Sequence, residues 1–69
     1  MSKHEISLLT PKEHAVLALL TKGLLYKEMA FAMEVNINTI KKHCKNIYKK
    51  LQVRNRTEAA MKFNSAKAA

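Results

Sequence analysis

The stretch that most constrains this chain is Asn36 to Leu51, NINTIKKHCKNIYKKL. Read as a helix, its two faces demand opposite surroundings. At about 100° per residue, Ile40, Cys44, Ile47 and Leu51 fall at i, i+4, i+7 and i+11 on one apolar stripe. Asn38, Lys41, Lys42, Lys45 and Lys49 fall together in an arc of roughly 100°, nearly opposite that stripe. One side suits a core, and the other is a row of ammonium groups. Asn36 can cap the start, because its side-chain oxygen can accept from a free N–H of the first turn.

Lysine on an exposed helix commonly alternates with Glu at i, i+4, which pairs the charge. Here no acidic residue occurs between Val35 and Thr57. The compensating charge then has to come from outside the chain, and nucleic-acid phosphate is its commonest source. The bland alternative is a solvated basic face with no ligand. The net charge of +8 is unevenly placed. Lys3, Lys12, Lys22 and Lys27 balance Glu5, Glu13, Glu28 and Glu34 in residues 1–35, so the whole excess lies in residues 36–69, where Glu58 is the one acid. Such a halved pattern within one small domain suggests one face made for a polyanion.

A chain of 69 residues allows one small domain with a marginal core. Its single cysteine cannot form an internal disulfide, which fits a reducing cytoplasm. The longest apolar run, Ala15 to Leu20, is too short for a membrane span or a signal peptide. A composition of 48% hydrophobic residues with one Gly and one Pro favours helices over disorder or a turn-rich all-β fold.

In chain order, residues 1–8 form a lead-in without clear period, with Ile6 and Leu8 expected to pack at its end. Thr10-Pro11-Lys12-Glu13 is a strong helix start: a Thr cap, Pro at the first helical position and Glu three after the cap. This first helix is expected to reach Thr21 or Lys22. Val16, Leu17 and Leu20 should face the core, Ala15 and Leu19 its margins, and Gly23 should stop the helix. A short second helix follows over about Tyr26 to Met33, burying Met29, Ala30 and Met33. Leu25 stands at its cap without an acceptor, while Glu28 waits as half of a capping box. Val35 fills the turn before the third helix (about 37–51), and Val53 returns to the core. Asn55 caps a last helix over about Arg56 to Asn64, with Glu58 as its box partner. Residues 65–69 are expected to fray as a tail. The domain proper therefore spans residues 9–64. It is all-α, with four helices. A short helix, a tight turn and a longer helix with a cationic outer face form the helix-turn-helix plan.

The ordered residues Leu9-Thr10-Pro11-Lys12-Glu13, Val16-Leu17, Leu20, Gly23-Leu24, Lys27-Glu28-Met29-Ala30, Thr39-Ile40-Lys41, His43, Asn46-Ile47-Tyr48, Lys50-Leu51, Val53 and Asn55 to Ala60 carry a resemblance. The chain resembles the LuxR/GerE-type DNA-binding domain of bacterial transcriptional regulators over Leu9 to Ala60, about three quarters of its length. No single motif is specific, but the ordered set with this spacing is. The resemblance implies a sequence-specific, non-enzymatic binder of double-stranded DNA with its third helix in the major groove. Positions matching Lys41, Lys42 and Lys45 are those from which the family reaches base edges or nearby phosphates. Positions matching Lys27, Asn38, Thr39, Asn46 and Lys49 lie where phosphate contacts are usual, and such contacts set register rather than sequence. A homodimer through the last helix is implied, with Ala59, Ala60 and Phe63 as its candidates. Phe63 can equally be a core residue of one chain. The dimer would read an inverted repeat in the bacterial nucleoid. Most relatives carry a receiver or ligand-binding domain ahead of this one. Whether the chain is a stand-alone regulator or a piece of a longer protein is left open by the sequence.

Departures from the family pattern sit at Leu25, Tyr26, Phe31 and Ile37, where polar or small residues are usual, and at Gln52, where Gly is frequent and the end of the third helix can shift. Leu25, Tyr26 and Phe31 together could expose an apolar patch that binds a partner protein, unless Ile6 and Leu8 fold over them. A small adaptor or anti-regulator is thus one rival reading, and a low-specificity nucleoid-type DNA binder is the other. RNA polymerase stays open as a further partner. No cofactor is expected. One Gly cannot build a phosphate loop. His4, His14 and His43 have neither the spacing nor the Cys partner of a metal site. Cys44 reads as buried filler rather than a nucleophile.

Overall fold

A computed structural model describes residues 8–68, with side chains described as far as Ser65. Ile6 and most of the lead-in lie outside the described residues. Four helices and no strand occur among those described: α1 (Pro11–Thr21), α2 (Tyr26–Met33), α3 (Ile37–Leu51) and α4 (Arg56–Ala68).

Each start has its own chemistry. Thr10 Oγ1 accepts from the Glu13 N–H at 3.2 Å, and the Thr10 N–H donates to Glu13 Oε1 at 3.0 Å, so the box at α1 is closed in both directions. At α2 only half a box exists. Glu28 Oε1 accepts from the Leu25 N–H at 2.7 Å, and Leu25 has no oxygen to return. Asn36 Oδ1 caps α3 by accepting from the Asn38 N–H at 2.7 Å. At α4, Asn55 Oδ1 accepts from the Glu58 N–H at 2.9 Å. Glu58 Oε1, however, takes the Arg54 N–H at 2.8 Å rather than that of the cap residue, so the expected box is displaced by one position.

The helix ends are equally defined. Gly23 follows α1 at φ 84°. After α2 and α3 the left-handed position is held by Glu34 and Gln52, both at φ 57°. In each case the next residue is a valine whose N–H reaches back to a carbonyl of the last turn: Val35 to Ala30 and Val53 to Tyr48, both 3.0 Å. This is the Schellman arrangement with its accompanying apolar contact. Gln52 therefore ends α3 at Leu51 without the glycine. The last helix departs from expectation, for it continues to Ala68 rather than stopping near Asn64. Ala and Lys are among the better helix formers, so SAKA extends the helix where a frayed tail was expected.

Val16, Leu17, Leu20, Met29, Ala30, Ile40, Cys44, Ile47, Leu51 and Ala59 form one core, with Leu9 at its edge. Here α1 packs on α3 and α4, and α2 packs on α3. Leu8, at the end of the lead-in, is half exposed, and the core contact is made by Leu9 after it. Ala15 is exposed, while Leu19 and Met33 are partly buried. Two cations serve the core by closing helix ends. Arg56 Nη2 donates to the Leu20 carbonyl at 3.0 Å and also to the Leu24 carbonyl. Lys62 Nζ donates to the Leu51 carbonyl at 2.5 Å, at the end of α3. Cations are favoured at C-terminal carbonyls by both charge and hydrogen bonding.

Candidate nucleic-acid interface

The candidate interface lies on α3. Its stripe of Ile40, Cys44, Ile47 and Leu51 is buried to 2% exposure or less, which fixes the rotation of the helix about its axis. The opposite side must then face solvent, and Asn38, Lys41, Lys42, Lys45 and Lys49 are all exposed. Thr39 and Asn46 are half-buried on the flank shared with Lys50, and His43 is half-buried beside the stripe. Lys27 is exposed in the first turn of α2, on a separate element. The structure thus gathers five of the eight predicted contact residues on the open face of one helix. Thr39 and Asn46 flank it, and Lys27 lies outside it.

Lys41, Lys45 and Lys49 follow one another at i, i+4 and i+8. Like charges at this spacing destabilise a helix by about 0.2–0.5 kcal/mol per pair. The side chains of these three and of Lys42 have no ion-pair or hydrogen-bond partner among the described residues. Three other cations of the second half behave differently. Lys50 is paired with Glu13 at 2.7 Å, and Arg56 and Lys62 close helix ends. The single acid there, Glu58, is engaged with the Arg54 backbone. The positive charge of α3 is therefore directed outward.

The remaining chemistry is structural. Burial pushes the Cys44 thiol up from its ordinary value, outweighing the opposing effects of the Tyr26 hydroxyl and Arg56, so it stays a protonated packing group. Tyr48 is also raised, first by burial and then by the Tyr26 hydroxyl beside it. Among the described residues no group of three or more His, Cys, Asp or Glu could hold a metal. No described helix is long and apolar enough to cross a membrane.

Two expectations need correction. Tyr26 does not join an exposed patch with Leu25 and Phe31. Its ring packs against the core near Cys44 and Tyr48, because its helical position is shared with Met29 and Met33. Phe31 lies on the far side of α2 and is 87% exposed, and Leu8 does not cover it. Ala59, a candidate for contact with a second chain, is 0% exposed in the core of its own chain and has no surface to offer. Ala60 is half-buried, and Phe63 packs on the core with its ring edge-on to His14, centroids 5.4 Å apart. Among the described residues, the large apolar residue that α4 exposes is Met61, 64% exposed, beside an apolar depression lined by Gln52, Val53, Glu58 and Lys62. Sequence reasoning passed over Met61. The signal was its position two residues from Ala59, some 200° around the helix.

Comparison with known proteins gives the relatives of this chain. The profile of the family described as bacterial regulatory proteins, luxR family, matches residues 7–63. The nitrate/nitrite response regulator protein NarL of Escherichia coli (strain K12) is 33% identical over 60 residues, covering 87% of this chain and 28% of NarL. The response regulator protein VraR of Staphylococcus aureus (strain NCTC 8325 / PS 47) is 41% identical over 54 residues, covering 78% of this chain and 26% of VraR. The chain spans little more than a quarter of the length of these two relatives.

Proposed function

This chain belongs to the luxR family of bacterial regulatory proteins and is a helix-turn-helix domain of that family; from that membership we propose that it reads a specific double-stranded DNA sequence with α3 in the major groove. The observation that carries the proposal is the unpaired lysine face of α3, set on a helix whose rotation the core fixes. Lys41, Lys42 and Lys45 project toward base edges, where a lysine donates to guanine O6 and N7. Lys49, Asn38, Thr39, Asn46 and Lys27 serve the phosphates. Two chains pair through α4 on an inverted repeat, with Ala60, Met61 and Phe63 as the available apolar residues and Ala59 behind them. The bacterial nucleoid is the compartment this reading requires.

Selection from a random-duplex pool at physiological salt tests it. Convergence on an inverted repeat is expected. Convergence on a single half-site would remove the dimer, and binding without convergence would leave a low-specificity binder. A second reading, a protein-binding role for the outer face of α2, rests on Phe31 alone.

A further inference from the structure

Ile37 is the first residue of α3 and is 38% exposed. It stands outside the core to which Met33 and Val35, on either side of the preceding turn, contribute. Lys41 follows one helical turn later, at i+4 on the same side, and Asn38 is next to it. The first turn of α3 contains no acid. Asp or Glu there would gain from the helix dipole, and a β-branched apolar residue gains nothing comparable in water. At 38% exposure Ile37 is partly covered by its own chain, and the open remainder gains further only by meeting apolar matter.

In helix-turn-helix docking the N-terminal residues of the second helix approach the base edges. The apolar group that B-DNA presents in the major groove is the thymine C5-methyl. Resting on the DNA-reading role proposed above, we infer that Ile37 is a specificity-determining residue that packs against a thymine methyl, adjacent to the base contacted by Lys41. The lysine selects for guanine by hydrogen bonding, and the isoleucine selects for thymine by excluding water from its methyl group. Cytosine at that position offers an amino group and no methyl, so the site would discriminate between the two pyrimidines by burial alone.

The test uses the duplex that emerges from the selection. Each thymine of the half-site is replaced singly by deoxyuridine, which removes the methyl and keeps every hydrogen-bonding group. Binding is measured by fluorescence anisotropy for the wild-type chain and for Ile37→Ala, a substitution compatible with helix and checked by circular dichroism. At one thymine per half-site, deoxyuridine should weaken the wild type about three- to fivefold, the factor that burial of one methyl group is worth. Ile37→Ala should bind the thymine duplex more weakly and be indifferent to the replacement. A flat deoxyuridine scan for the wild type, or unchanged sensitivity in Ile37→Ala, overturns the inference while leaving DNA reading intact. A pool that never converges overturns the DNA-reading role and this inference with it.

Discussion

Lys50 Nζ lies 2.7 Å from Glu13 Oε1, joining α3 to α1 across 37 positions of sequence. Glu13 is 4% exposed and also accepts from the Thr10 N–H, so one carboxylate closes the cap of α1 and anchors α3 against it. The pair fixes the flank of α3 next to its open lysine face.

This arrangement has a measurable consequence. Burial raises the Glu13 carboxyl, but the hydrogen bond from Lys50, the Thr10 N–H and the Lys50 charge together outweigh it and hold the group below its ordinary value. With a depressed folded pKa, the contribution to stability is fully present above the unfolded value, about 4.3. It is lost as pH falls through the folded value. Glu13→Gln keeps an acceptor for Thr10 and loses the charge. At pH 7 it should unfold about 2 kcal/mol more easily, less than a fully buried pair would lose, because Lys50 is 35% exposed. Urea titrations between pH 3 and 7 should show the wild type losing stability toward acid more steeply than Glu13→Gln. Equal slopes would mean that the pair contributes nothing.

Gln52 and Glu34 stand at φ 57°, where a side chain is strained by about 1–2 kcal/mol. Glycine relieves this and gives back part of the gain through a freer unfolded chain. Gln52→Gly should therefore stabilise the domain by about 0.5–1 kcal/mol and raise the melting temperature by about 2–8 °C. Gly23→Ala should move it the other way. A Cβ at Gly23 would meet nothing within 4 Å, so φ 84° alone sets the penalty. Differential scanning calorimetry distinguishes the signs.

Much of this fold is legible in the sequence because its signals are local. Thr10-Pro11-Lys12-Glu13, Asn36 and Asn55 announce their helices by cap chemistry. Ile40, Cys44, Ile47 and Leu51 fix the inner side of α3 by period, and the open lysines follow from that rotation. What stayed hidden depends on distant partners. Nothing local says that Lys50 leaves the lysine row for Glu13, or that Arg56 reaches the Leu20 and Leu24 carbonyls. The burial of Ala59 depends on how closely α4 approaches the core, and alanine fits a crowded contact as readily as an open one. Tyr26 departs from the family pattern, but its helical position beside Met29 and Met33 decides its burial.

Arg56 should be the most sensitive cation in the molecule for folding. Its guanidinium serves two carbonyls at the end of α1 and the following turn. Arg56→Ala removes the donor of the Leu24 carbonyl, while the Leu20 carbonyl keeps the Gly23 N–H at 3.1 Å, and a loss of about 1–3 kcal/mol is expected. Arg56→Lys should restore only part of it, since an ammonium lacks the planar fork. Thermal denaturation of the two variants checks the order.

Phe31→Ser makes the contrasting case. The ring is 87% exposed, so stability should stay within about 0.5 kcal/mol of the wild type. Any fall in DNA affinity for this variant, with melting unchanged, would bring the outer face of α2 into the interface.

The open lysines should separate by role rather than by charge. Lys45→Ala is expected to lose about 1–3 kcal/mol on the preferred duplex and to relax one base position, as removal of a base contact does. Lys49→Ala should weaken binding by a similar factor on every sequence and reduce the salt slope by about one unit, as removal of a phosphate contact does. Neither variant touches the core, and each removes a like-charge neighbour at i, i+4, so both should melt no lower than the wild type. Affinity on preferred and scrambled duplexes across a salt series reads all three quantities. Identical behaviour of the two variants on both duplexes would remove base reading from Lys45.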